Sequence, residues 1–99
     1  METPFETYSS LIQRFLNNAI SSKEFQTAYL IRFQDEARVL DEPLFLLLDE
    51  LFGDIDACTD VPELLAEDPD FYLDEKSLRS KAESVLARML DWRARHIIA

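Results

Sequence analysis

Apolar residues recur at helical spacing in four separate stretches of this chain, each opened by a residue type that caps helices. In the first, Thr3-Pro4-Phe5-Glu6 reads as a capping box with proline at the first helical position, where its missing N–H is harmless. Tyr8, Leu11, Ile12, Phe15 and Leu16 follow as one apolar stripe, and Asn17-Asn18 marks the end. Ser21-Ser22-Lys23-Glu24 is a second capping box, with Ile20 placed to staple against Phe25. Phe25, Ala28, Tyr29, Arg32 and Phe33 form its predicted core stripe, Arg32 snorkelling at the rim. The link between the two stretches is short, which predicts antiparallel neighbours.

Asp41 is the predicted cap of a third helix, with Pro43 in its first turn and Leu40 set to staple onto Phe45. Leu44, Phe45, Leu47, Leu48, Leu51, Phe52 and Ile55 surround most of its circumference, which predicts the most buried helix of the set. The fourth long helix starts at Asp74, with Leu73 and Leu78 as its staple pair. Its core stripe is Leu78, Ala82, Val85, Leu86, Met89 and Leu90, and Arg88, Arg93 and Arg95 suit the negative end of its dipole. Between the third and fourth long helices, Pro62 and Pro69 punctuate the chain. A short helix through Val61-Pro62-Glu63-Leu64-Leu65 is predicted there, capped by Asp60 with Glu63 in the box position. The pattern predicts an all-α fold, an antiparallel four-helix bundle with one longer acidic connection at residues 58–72.

At 99 residues, the chain fits a single domain, 1–99. Hydrophobic residues make up 47% of it, enough for a packed interior. It has 1 glycine, which disfavours phosphate-cradling loops and dinucleotide folds. Its 1 cysteine, Cys58, excludes an internal disulfide and a four-cysteine zinc site. With no basic-then-apolar leader and no apolar run of bilayer length, the expected location is the cytoplasm, away from membranes.

Charge changes the picture. Lys plus Arg is 10 and Asp plus Glu is 20, a formal net charge of −10. No basic residue lies between Arg38 and Lys76, whereas residues 39–75 hold 13 acids; the rest of the chain has 10 bases against 7 acids, a net of +3. Direct binding of nucleic acid is disfavoured by such a surface.

The residues that carry catalysis elsewhere find no setting here. His96 is the single histidine and lies near the C-terminus, without a fixed partner or an orienting group. Cys58 follows Asp54-Ile55-Asp56-Ala57, and neighbouring carboxylates raise a thiol pKa instead of activating it. Asp54, Asp56 and Asp60 have some of the spacing of a calcium loop. A loop from Asp54 places Thr59 and Leu65 where glycine and glutamate are required; a loop from Asp56 supplies Glu67 but has Val61 at the glycine position. No Glu-x-x-His pair is present for a di-iron site. The expectation is a protein without cofactor or metal that is not an enzyme.

Two readings compete for the acidic segment. Acids keep a small protein soluble, but a solvated face normally mixes signs. A docking surface for a strongly basic partner accounts for the one-sided charge, because it speeds encounter and can fill a groove meant for nucleic-acid phosphates. The candidate contacts are Asp54, Asp56, Asp60, Glu63, Glu67, Asp68, Asp70, Asp74 and Glu75, with Tyr72 as an aromatic among them. Asp60 and Asp74 are also caps, Phe71 is placed to plug the end of the bundle, and Trp92 is placed to pack at an end.

Several segments taken in order carry a resemblance. They are Tyr8-Ser9-Ser10-Leu11-Ile12-Gln13-Arg14-Phe15-Leu16, Ile20-Ser21 leading to Glu24-Phe25 and Tyr29-Leu30, then Leu51-Phe52-Gly53-Asp54-Ile55-Asp56-Ala57, and Leu73-Asp74-Glu75-Lys76-Ser77-Leu78-Arg79. Together they resemble the colicin D-type immunity proteins of the bacterial self-protective colicin-like immunity family. The resemblance implies a small antiparallel helical bundle that neutralises a cognate nuclease toxin, often a tRNA-cleaving bacteriocin or contact-dependent inhibition toxin, with acidic groups imitating RNA phosphates. Asp54, Asp56, Asp74 and Glu75 are the positions it carries over. The expected partner is a basic cognate nuclease toxin domain bound by a monomer in a one-to-one complex. The alternative is an acidic adaptor or nucleic-acid mimic acting on a basic regulatory protein, and a metal-responsive switch is a third idea.

Overall fold

The computed structural model describes residues 3–68 and 72–98, with side chains through residue 95. The predicted Asp70 and Phe71 contacts and the His96 side chain lie outside what is described. Five helices follow in order: α1 (Pro4–Leu16), α2 (Ser22–Gln34), α3 (Glu42–Asp56), the short α4 (Pro62–Glu67) and α5 (Glu75–Ile98). The described residues contain no strand, only one isolated parallel bridge, so the domain is all-α with four long helices.

The termini form where the sequence signals lie. Thr3 accepts a hydrogen bond from the Glu6 N–H at 3.2 Å and caps α1. At the start of α2 the box closes in both directions: Glu24 N–H donates to Ser21 Oγ at 3.1 Å and Ser21 N–H donates to Glu24 Oε1 at 3.0 Å. Asn18 adopts φ 61°, the left-handed conformation that asparagine tolerates, and stops α1. Ala19 N–H then turns back to the Arg14 carbonyl at 2.8 Å.

Each long helix contributes one buried stripe: Tyr8, Ile12 and Phe15; Phe25 and Tyr29; Leu44, Leu48, Leu51 and Ile55; Leu78, Ala82, Val85 and Met89. α5 packs against both α1 and α3, α1 against α2, and α2 against α3, closing a ring of four contacts. Aromatic rings fill the α1–α2 seam. Phe15 stacks on Phe25 with centroids 4.3 Å apart, and Tyr8 meets Tyr29 edge-on at 5.5 Å. Both buried tyrosines have hydroxyl partners, Tyr29 donating to the Leu48 carbonyl at 2.8 Å and Tyr8 to Glu36 Oε2 at 2.8 Å. At one end of the α1–α5 seam Phe5 lies 6.3 Å from Trp92 and 4.4 Å from the Arg93 guanidinium. At the other end Arg79 lies 4.5 Å from the centre of the Phe15 ring and donates to the Phe15 carbonyl and to Asn18 Oδ1.

Five expectations are corrected. α3 is not the most buried helix: Phe45 is 42% exposed and Leu46 57%, whereas α1 buries six residues. Its neighbours α2 and α5 cover one side only, and an apolar circumference says nothing about how many neighbours are available. On α2, Ala28 is exposed, Arg32 is exposed in keeping with its place at the rim, and the buried residues are Phe25 and Tyr29 alone. Leu90 of α5 is 40% exposed, because it lies one residue round the helix from the buried Met89 and off the covered face. The α4 cap is Val61, one residue later than expected, and the Val61 N–H bonds to Thr59 Oγ1 at 3.1 Å, so Asp60 is left without the capping role. Asp41 is the cap residue of α3, but its side chain makes no capping bond.

Candidate functional site

The isolated bridge decides where the acids gather. Thr59 N–H donates to the Leu73 carbonyl at 2.8 Å, and Leu73 N–H donates to the Ala57 carbonyl at 3.0 Å. These two bonds pin the residues just after α3 against those just before α5, so acids far apart in sequence become neighbours. Asp60, Asp74 and Glu75 line one open cleft of about 660 Å³ with Cys58, Thr59 and Leu65, across from Ser21, Ser22, Lys23 and Gln26 at the start of α2. Among the described residues Lys23 is the single cation on that cleft, and the sequence candidates did not include it. A separation of more than 30 residues hides that meeting from local pattern.

The Cys58 thiol registers the same gathering. Burial pushes its pKa up, and the charges of Asp74, Glu75 and Asp60 push it further. A thiol held protonated in this way is a poor nucleophile at neutral pH. Among the described residues, no group of three His, Cys, Asp or Glu side chains converges to hold a metal ion.

The ten candidates separate by environment. Asp74 caps α5, accepting the Ser77 N–H at 2.8 Å, and that bond holds its carboxyl below the ordinary aspartate range. Asp54 is half-buried, and its Oδ2 has no hydrogen-bond partner. Burial raises its pKa, Lys81 and Arg88 oppose the rise, and Glu50 adds to it. Asp54 therefore sits in the field of α5 and differs from the outward acids. Asp56, Glu63, Glu67 and Asp68 are exposed on the last turn of α3, on α4 and just after it. Tyr72 is half-buried, its N–H bonded to the Asp68 carbonyl at 3.0 Å. Asp70 lies outside the described residues.

Two further carboxylates, Glu42 and Asp49, are exposed on α3 in line with Asp56 at successive seven-residue steps. That spacing was legible in the sequence, but the apolar richness of α3 masked it. By contrast, Glu50 is committed within the fold: it pairs with Arg88 of α5, which lowers its pKa.

A model of the family described as bacterial self-protective colicin-like immunity matches residues 4–89, from the first turn of α1 to the last buried residue of α5. The chain belongs to that family. No curated protein and no solved structure matches it. Membership in the immunity family implies neutralisation of a cognate bacteriocin, by binding and not by enzymatic turnover. Among the described residues, no helix is long and apolar enough to cross a membrane.

Proposed function

We propose that this chain is a cytoplasmic immunity protein, a single-domain antiparallel four-helix bundle that binds a basic nuclease toxin domain one-to-one and covers it with a phosphate-like acidic surface. The bundle reading rests on the ring of helix contacts and on the α1–α5 seam, where Phe5 meets Trp92 at one end and Phe15 meets Arg79 at the other. The observation that carries the mechanism is the cleft at the α3–α5 junction. Asp60, Asp74 and Glu75 share it with one lysine, and the segment that supplies them, residues 39–75, has no base of its own.

Carboxylates spaced along a ridge attract the same cationic side chains that hold nucleic-acid phosphates. Asp56, Asp60, Glu63, Glu67, Asp68, Asp74 and Glu75 are the proposed outward acids, with Asp70 beside them in sequence and Tyr72 as an aromatic contact. Asp54 serves by its charge near the junction. The partner to test is a basic C-terminal domain of a large protein specified by the adjacent upstream gene. Co-expression of that domain with this chain is expected to restore growth. The combined change Asp60→Asn, Asp74→Ser and Glu75→Gln is expected to lose rescue while keeping full helix content by circular dichroism. Rescue unaffected by the triple change would contradict the acidic mechanism.

A further inference from the structure

The single glycine of this chain stands where nothing in the fold asks for one. Gly53 lies in the interior of α3, has no positive φ, and a Cβ built on it would meet nothing within 4 Å. Glycine is the poorest helix former after proline, so at an exposed position inside a helix it weakens the fold without an internal return. Its neighbours on the outward face are distinctive. Leu46 and Asp49, seven and four residues before it, share that face, and Glu42 and Asp56 lie at its two ends. All are exposed, and Phe45 lies beside Leu46 at the rim. Glu42, Asp49 and Asp56 make no ion pair with the described residues, and α3 carries no cation.

From this we infer that the outward face of α3 is the close-approach surface for the basic toxin domain, with Gly53 as the point where the partner comes nearest the helix backbone and Leu46 as the apolar anchor. The inference rests on the proposed toxin-binding function and extends that surface from the junction cleft along α3. Charge complementarity fixes the occupant as a cationic protein: an apolar spot ringed by unpaired carboxylates suits an apolar contact flanked by lysine or arginine, the arrangement of an interface centre with a charged rim. A second copy of this chain would set like charges against one another. Any Cβ at position 53 would hold such a partner away, which gives the glycine its use.

The test uses the full chain and the toxin domain that it neutralises, with affinity read by titration calorimetry and folding by thermal melts. Gly53→Ala is expected to raise the melting temperature by roughly 4–8 °C, since it adds helix propensity in open space, and to weaken toxin binding less than a larger side chain does. Gly53→Gln is expected to keep or raise the melting temperature while weakening toxin binding by at least about tenfold, because the added side chain blocks close packing. Leu46→Arg is expected to weaken binding at least as much, and Ala87→Gln, exposed on α5, to leave it unchanged. If wild-type protein binds and both Gly53→Gln and Leu46→Arg bind equally well, the α3 face is wrong and the proposed function stands. If wild-type protein binds no basic toxin domain, the proposed function falls and this surface falls with it.

Discussion

Two carboxylates of this protein are held in opposite electrostatic states, and each predicts its own pH dependence. Glu36 sits in the α2–α3 connection, where Arg38 grips it through Nε at 2.7 Å and Nη2 at 2.8 Å while Tyr8 donates from below at 2.8 Å. Arg38, then Tyr8, hold its pKa down to about 2 against the opposing effect of burial. The stability that this contributes is complete above the ordinary glutamate range and is lost as pH falls from there toward 2. Glu36→Gln is expected to cost about 1–2 kcal/mol at neutral pH, the lower part of the range for stranding charged hydrogen-bond partners, because Arg38 is partly solvated. Urea denaturation at pH 7 and pH 3 checks this, with the gap between variant and wild type narrowing at pH 3. Asp54 is the reverse case, since burial raises its pKa. Its charged form is disfavoured in the fold, so it lowers stability as pH rises through the aspartate range. Asp54→Asn is expected to raise the melting temperature at pH 7 and to lose that advantage below the ordinary aspartate range. Neither state was legible in the sequence: the Glu36 pair with Arg38 is local, but the Tyr8 hydroxyl that completes it comes from 28 residues away, and Asp54 owes its environment to α5.

At the scale of elements, the chain's own punctuation marks most of the structure. Capping residues and apolar stripes place all four long helices, because both are local features that act within a turn or two of chain. Burial is less legible: Ala28, Phe45, Leu46 and Leu90 have core-like identity but lie where neighbouring helices leave them exposed. The α4 start also slips by one residue: Val61 is its cap with no side chain bonding the first turn, and the Val61 N–H is itself held by Thr59 Oγ1. Asp74 serves both as helix cap and as candidate contact, and two substitutions separate those roles. Asp74→Ala removes cap and charge and is expected to lower the melting temperature by a few degrees. Asp74→Ser retains a capping oxygen, so it is expected to keep the wild-type melting temperature while slowing toxin association. If Asp74→Ser destabilises as much as Asp74→Ala, the carboxylate charge at the helix dipole, and not the hydrogen bond, holds this terminus.

For the molecule as a whole, the uneven charge was plain in the sequence, but its arrangement in space was not. The bridge between Cys58 and Leu73 closes the chain between α3 and α5 so that acids before and after α4 share one cleft, and no local pattern encodes that closure. Because the proposed surface is made of many solvated charges, a single rim change such as Glu67→Gln is expected to weaken toxin binding by less than about 1 kcal/mol. Asp56→Asn, on the exposed last turn of α3, is expected to cost about 2–5 kcal/mol by stranding a basic group of the partner. Calorimetric titration of the two variants distinguishes these costs. The central claim is that charge brings the partner in, and stopped-flow mixing of this protein with its toxin domain at several salt concentrations tests it most directly. Exposed charges are screened over about 8 Å at physiological salt. Going from low to physiological salt is therefore expected to slow association by roughly tenfold or more while dissociation changes far less. An association rate that does not respond to salt would contradict the electrostatic account.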